Sequence, residues 1–165
     1  MSFREKKHTH RACPSHDGLL YESIRGAADY FARGEKNEAL EKRIDGYIDL
    51  IAKAQECSGG GYIHTLVLFE YPAFRYGENG GSILWQHDIY NHGCLFEAGV
   101  HYYKATGKTK LLETEVKAAN ELCNDIGDAP KNGSFRGIRF PNTRLWNSMS
   151  SLSTNRNCQS GSIVP

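Results

Sequence analysis

Apolar side chains recur along this chain with a helical period. Over residues 19–32 they fall at Leu20, Ile24, Ala27, Ala28 and Phe31, one face of a 3.6-residue repeat, while Glu22, Arg25 and Asp29 line a second face. Over residues 37–55 the stripe is Leu40, Ile44, Tyr47, Ile48, Ile51 and Ala54, with charges between. The joining "ARGEKN" puts Gly34 at a helix-ending position that calls for positive φ. A third helix is predicted over residues 87–105, apolar around much of its circumference, and Gly107 in "TGKT" terminates it. A fourth follows, with Leu111, Leu112, Val116, Ala119, Leu122, Cys123 and Ile126 on one face.

These four helices form a repeat. "ADYFARGEKNEALEKRIDGYIDLIA" and "GVHYYKATGKTKLLETEVKAANELC" share one plan: an aromatic helix end, a glycine turn and an amphipathic helix. The second helix of each hairpin has a wide charged face and must meet water there. The first and third helices are less polar and should lie deeper, which gives an inner and an outer layer of helices.

Residues 56–85, between the hairpins, are rich in glycine and aromatics. So long a connection in a compact domain is usually functional, and its "YIHTLVLF" reads as a short strand. The "SGGGY" glycines suit a tight turn; they do not make a phosphate loop, since no Gly-Lys-Ser/Thr follows. Beyond residue 127 periodicity is lost and Ser, Asn and Arg accumulate, the composition of disordered chain. The organised part is thus expected over residues 17–127, with 1–16 and 128–165 irregular or disordered. Two hairpins alone leave inner-helix surface uncovered, so the chain is expected to be part of a larger fold.

Composition removes several function classes. Twenty basic and nineteen acidic side chains give a formal charge of +1, with no long run of one sign. Nothing electrostatic points to nucleic acid or an anionic membrane as partner. No apolar run is long enough for a membrane span, and the basic start lacks the apolar segment of a secretion signal. Five scattered cysteines (Cys13, Cys57, Cys94, Cys123 and Cys158), with no C-x-x-C pair, suit reduced thiols in a cytoplasmic protein and disfavour a structural zinc site.

The chemistry-bearing residues concentrate in "ILWQHDIYNHGCLFEAGVHYY". His87 reads either as a partner of a sugar hydroxyl or as an inner-helix histidine bonded to a nearby carbonyl. Trp85 either stacks on a sugar face or staples the helix entry. Glu22 and Arg25 either floor a pocket or pair one turn apart. His101 suits a helix end that favours a cation, and His92 a second layer or the surface. Cys94 is expected to be a small core residue, because a helix interior does not activate a thiol as its N-terminus would.

"DGYIDLIAKAQ", "GYIHT" and "W-x-H-D-I-Y-N-H-G-x-L-F-E-A-G-V-x-Y-Y-K-A-T-G-K-x-x-L-L" together resemble the beta-L-arabinofuranosidase family of glycoside hydrolases. There the last segment commonly reads H-E-L-Y-x-x-G-H-L-x-E-A, followed by T-G-K and an outer helix. "DGLLYESIRGAADYFAR" is similar to the family's first inner helix. The match runs roughly from Asp17 to Gly127, as an ordered series of motifs. The resemblance implies an all-α fold, part of an (α/α)6 barrel in which six helical hairpins close into two rings. It also implies retaining hydrolysis of an arabinofuranoside by a zinc-held cysteine thiolate, with a glutamate as acid and base.

The family's reacting groups lie downstream of the matched segments, so no catalytic residue, metal ligand or cofactor is carried onto this chain; zinc is expected in the intact family enzyme. What the resemblance carries over is a sugar-facing set: His87, Tyr90 and Asn91, with Trp85, Glu22 and Arg25. The chain departs from the pattern at Cys94, where the family usually has a histidine, and a thiol hydrogen-bonds more weakly than an imidazole. It departs again at "FPNTR", where a proline-x-histidine turn is usual; a frameshift in the reading frame is one expectation for that tail.

The sequence therefore points to an N-terminal fragment of a glycoside hydrolase, acting on an oligosaccharide and inactive alone. Its oligomeric state is left open. The rivals are a non-catalytic helical-repeat scaffold for a protein or peptide and a zinc-dependent folding module. The long aromatic insertion disfavours the first and the cysteine spacing the second.

Overall fold

The computed structural model describes residues 13–76 and 86–125. Trp85, Ile126 and the expected irregular tail, with its frameshift, lie outside the described residues. Five helices are described: α1 (His16–Ala32), α2 (Glu38–Cys57), α3 (Thr65–Glu70), α4 (Asp88–Thr106) and α5 (Lys110–Asp125). None of the described residues forms a strand.

The hairpin boundaries have local causes. Gly34 follows α1 at φ 86° and Gly107 caps α4 at φ 74°, a left-handed geometry that costs glycine little. Asn37 starts α2 by accepting the Leu40 backbone N–H at 2.9 Å.

Cross-helix contacts fix how the hairpins lie. Gly18 meets Asn91, Arg25 meets Glu97 and Asp29 meets His101, so sequence position rises together on α1 and α4. The same holds outside: Lys108 reaches Asp45 at 2.6 Å, Lys110 reaches Asp49 at 2.6 Å, and Gln55 donates to the Thr114 carbonyl at 2.9 Å. The two hairpins stand side by side, α1 against α4 and α2 against α5, each pair parallel. This is the two-layer arrangement that the repeat predicts. α4 is the deepest helix, burying Asp88, Ile89, Asn91, Leu95, Phe96, Ala98, Val100 and Tyr102 among others. α1 is covered on one side, through Tyr21, Ile24, Ala27 and Ala28. An open apolar groove between α1 and α2, lined by Leu20, Ala27, Leu40, Ile44 and Tyr47, lies on the other side of α1 from Glu22, Arg25 and Asp29.

Two expectations need correction. "YIHTLVLF" is not a strand: its second half is α3, because His64 caps it by accepting the Val67 N–H and Asp17 takes the N–H and hydroxyl of Thr65 at 2.6 and 2.7 Å. No neighbouring strand among the described residues offers a ladder, while those partners satisfy a helical turn. The buried face of α5 is also rotated from the expected one. Leu111, Thr114, Glu115, Ala118 and Leu122 are buried, whereas Leu112, Val116, Ala119 and Cys123 are half-covered. The close approach of α5 to Gly99 of α4 and to Gly61 decides this, for a β-carbon on Gly99 would collide with Glu115 and one on Gly61 with the Lys117 carbonyl.

Candidate functional site

A polar row runs along the seam between α1 and α4. On α1, Gly18, Glu22, Arg25 and Asp29 recur at i, i+4, i+7 and i+11; on α4, Tyr90, Cys94, Glu97 and His101 keep the same spacing. Parallel packing brings the two stripes into register. Glu97 was missed by sequence reasoning. The available signal was this shared spacing, together with a carboxylate in an otherwise apolar helix.

Ion pairs join the row at two places. Tyr90, Cys94 and Glu22 influence one another electrostatically, each shifting a neighbour's titration. Arg25 donates to Glu22 at 2.5 Å and to Glu97 at 3.2 Å. Farther along, the His101 imidazole meets Asp29 at 2.8 Å. Interaction with Cys94 raises the Tyr90 pKa. Burial, first of all, pushes the Cys94 thiol up to about 11, so it stays protonated at neutral pH. Cys94 is buried in the hydrophobic core cluster, the small core residue that its helix-interior position predicts. Side-chain exposures of 37%, 33% and 22% for Arg25, Glu22 and Glu97 leave their charged groups within reach of a ligand.

The other predicted residues separate into two groups. Tyr90 is 49% exposed and lies edge-on to the exposed His87 ring, centroids 6.0 Å apart. His87 precedes α4 as its N-cap, in a left-handed conformation (φ 59°, ψ 21°), and its side chain makes no capping bond. Asn91 is fully buried. Its Oδ1 accepts the Gly18 N–H at 2.9 Å and its Nδ2 donates to the Pro14 carbonyl at 2.7 Å, so both ends of the amide are occupied by protein. Asn91 ties α1 to α4 from beneath the row. Glu22 and Arg25 do pair one turn apart, and Arg25 also bridges to α4. His92 is not a surface group: it is 1% exposed, donates from Nδ1 to the Asp88 carbonyl, and packs among Tyr62, Tyr76 and Phe96.

Among the described residues no three His, Cys, Asp or Glu side chains gather as a set that could hold a metal. Cys94 is buried, and Cys13 and Cys57 are exposed. The described donors do not fit the zinc centre that the family implies. No described helix is long and apolar enough to cross a membrane.

The profile described as Beta-L-arabinofuranosidase, GH127 catalytic domain, matches residues 2–138. The chain belongs to this glycoside hydrolase family. A non-reducing end beta-L-arabinofuranosidase from Bifidobacterium longum subsp. longum is 29% identical over 121 residues, 73% of this chain and 18% of that protein. The crystal structure of a GH127 beta-L-arabinofuranosidase from Geobacillus stearothermophilus T6 superposes with a TM-score of 0.64 at 26% identity, covering 76% of this chain and 19% of that one. A second GH127 beta-arabinofuranosidase structure gives 0.66 at 27% identity, covering 79% and 21%. This chain spans about a fifth of the length of these relatives. They share the (α/α)6-type fold, and the family match displaces the repeat-scaffold reading.

Proposed function

We propose that the protein to which this chain contributes hydrolyses terminal β-L-arabinofuranosides of plant glycans, and that the α1/α4 seam forms one wall of its sugar pocket. The observation that carries this reading is the cross-helix set of Glu22, Arg25 and Glu97, ion-paired and partly exposed beside the half-exposed Tyr90. Two carboxylates and a guanidinium supply acceptors and donors for hydroxyls, while the half-exposed Tyr90 ring offers a flat face to a furanose and the His87 imidazole, edge-on to it, a further polar group. Ligand sites combine apolar walls with a few convergent polar groups in this way. The relatives' names give the sugar, and this chain's residues supply recognition. The reacting groups come from the remainder of the protein.

Methyl β-L-arabinofuranoside titrated into the chain should move the NMR resonances of Tyr90 and of the Arg25 side chain, and Arg25→Ala should abolish the shifts. Turnover of an aryl arabinofuranoside by the chain alone, or an unchanged spectrum at high sugar concentration, overturns the proposal.

A further inference from the structure

His87 has the wrong side chain for its backbone. A left-handed conformation (φ 59°) costs a residue with a β-carbon roughly 5- to 30-fold in the folding equilibrium, whereas glycine adopts it freely. The described residues hold one other non-glycine case, Tyr76 at φ 52°. That one has a packing reason: its ring is fully buried and meets Tyr62 edge-on, centroids 5.1 Å apart. The His87 ring fills no core space and caps nothing. Strain of this kind persists only where the surroundings over-determine it, and it concentrates where a side chain must be presented.

The surroundings of His87 do over-determine it, through both of its neighbours. Gln86, 1% exposed, donates from Nε2 to the Phe74 carbonyl at 2.8 Å. Nε2 of the buried His64 lies 2.8 Å from the Gln86 carbonyl and 2.9 Å from the Asn91 amide nitrogen, and Nδ1 of that ring lies 3.3 Å from the Val67 N–H. On the other side Asp88, fully buried, accepts the Tyr62 hydroxyl, and its carbonyl accepts Nδ1 of His92 at 2.7 Å. Tyr62 is itself immobilised between Tyr76 and His92, with the Arg75 guanidinium 4.7 Å from its ring centre. Residues 86 and 88 are anchored in the interior, and the residue between them can only turn outward.

We propose that residues 62–64 act as a clamp: Tyr62 and His64, acting through Asp88 and Gln86, are positioning residues that hold His87 left-handed and present its imidazole to a hydroxyl of the bound sugar. This rests on the sugar-pocket reading above and adds the device that aims one of its groups. A neutral imidazole both donates and accepts, so a fixed ring orientation decides which hydroxyl it serves.

The test is a double-mutant cycle on the chain with two readouts. His87→Gly should tighten the folding equilibrium by about fivefold or more over His87→Ala, a margin set by the left-handed penalty. In a Tyr62→Phe background that margin should shrink, because the clamp no longer enforces the conformation. Tyr62→Phe should also shift the His87 imidazole resonances and weaken methyl β-L-arabinofuranoside binding several-fold, while the His101 resonances stay in place. If Tyr62→Phe does not fold, Asp88→Asn, which keeps the shape and weakens the same bond, takes its place. Equal folding of the Gly and Ala variants, or sugar affinity indifferent to Tyr62, overturns the clamp. A parent chain that binds no arabinoside yet shows the coupling sinks the sugar reading alone.

Discussion

Gly18 donates its backbone N–H to Oδ1 of Asn91 at 2.9 Å, and a β-carbon at position 18 would lie 2.7 Å from Cε1 of Tyr90 and 2.8 Å from that same Oδ1. The start of α1 is therefore seated on α4 through a missing side chain and a buried amide. Gly18→Ala should cost about 1–3 kcal/mol, the range for forcing an extra methyl into a packed contact. Asn91→Leu should cost about as much, by leaving the Gly18 N–H and the Pro14 carbonyl without their partner. Urea denaturation measures both. A Gly18→Ala variant as stable as the parent would mean that the two helices are not in this contact.

Glu115 should make the chain less stable in mild alkali. Its carboxyl is 2% exposed, one oxygen has no hydrogen-bond partner, and burial raises its pKa from 4.5 to about 8. The folded protein thus keeps a proton that the unfolded chain releases. Stability from this group is fullest below pH 4.5 and declines up to about 8, by at most about 1.4 kcal/mol per pH unit. Glu115→Gln should flatten that decline. Unfolding curves at pH 5.5, 7 and 8.5 for parent and variant decide it, and parallel curves would refute the assignment.

His92 should act in the opposite direction. It is buried among Tyr62, Tyr76 and Phe96, its Nε2 has no partner, and desolvation, as the largest cause, lowers its pKa. The unfolded chain takes up a proton below pH 6.5 that the folded chain refuses, so stability from this group is lost as pH falls through that range. Imidazole NMR should show His92 titrating at lower pH than an ordinary histidine. A His92 signal titrating at or above 6.5 would contradict its burial.

Arg25→Met should cost little stability and much recognition. Arg25 is about a third exposed, and pairs of that kind contribute about 0–1 kcal/mol. Its removal leaves Glu22 and Glu97 facing one another across the seam. Melting temperature should move by a few degrees at most, whereas arabinoside affinity should fall by about tenfold, the order of one lost charge-assisted hydrogen bond. Calorimetric titration beside thermal melts separates the two effects.

Periodicity, glycine placement and capping residues were enough to read the four long helices, their two hairpins and their layering. Each of these depends on neighbours a few residues away: Leu20 to Ile24 to Ala27, Gly34 after α1, Asn37 before α2, Gly107 after α4. Amphipathic stripes also name the residues that must be covered, which is why Ile24, Ile44, Ile48, Ile51 and Leu111 were legible as core. What the sequence could not settle were matters of partner. Asn91 and His87 sit four residues apart, yet one is locked under α1 and the other turned outward, because Gly18 lies over Asn91 and the interior grips both neighbours of His87. "YIHTLVLF" became helix through Asp17, forty-eight residues away. Glu97 joined the polar row only because α1 and α4 run parallel and in register. Local pattern determines which face of a helix is apolar; the element it meets, and so which polar group remains free for a ligand, is decided by contacts between residues distant in the chain.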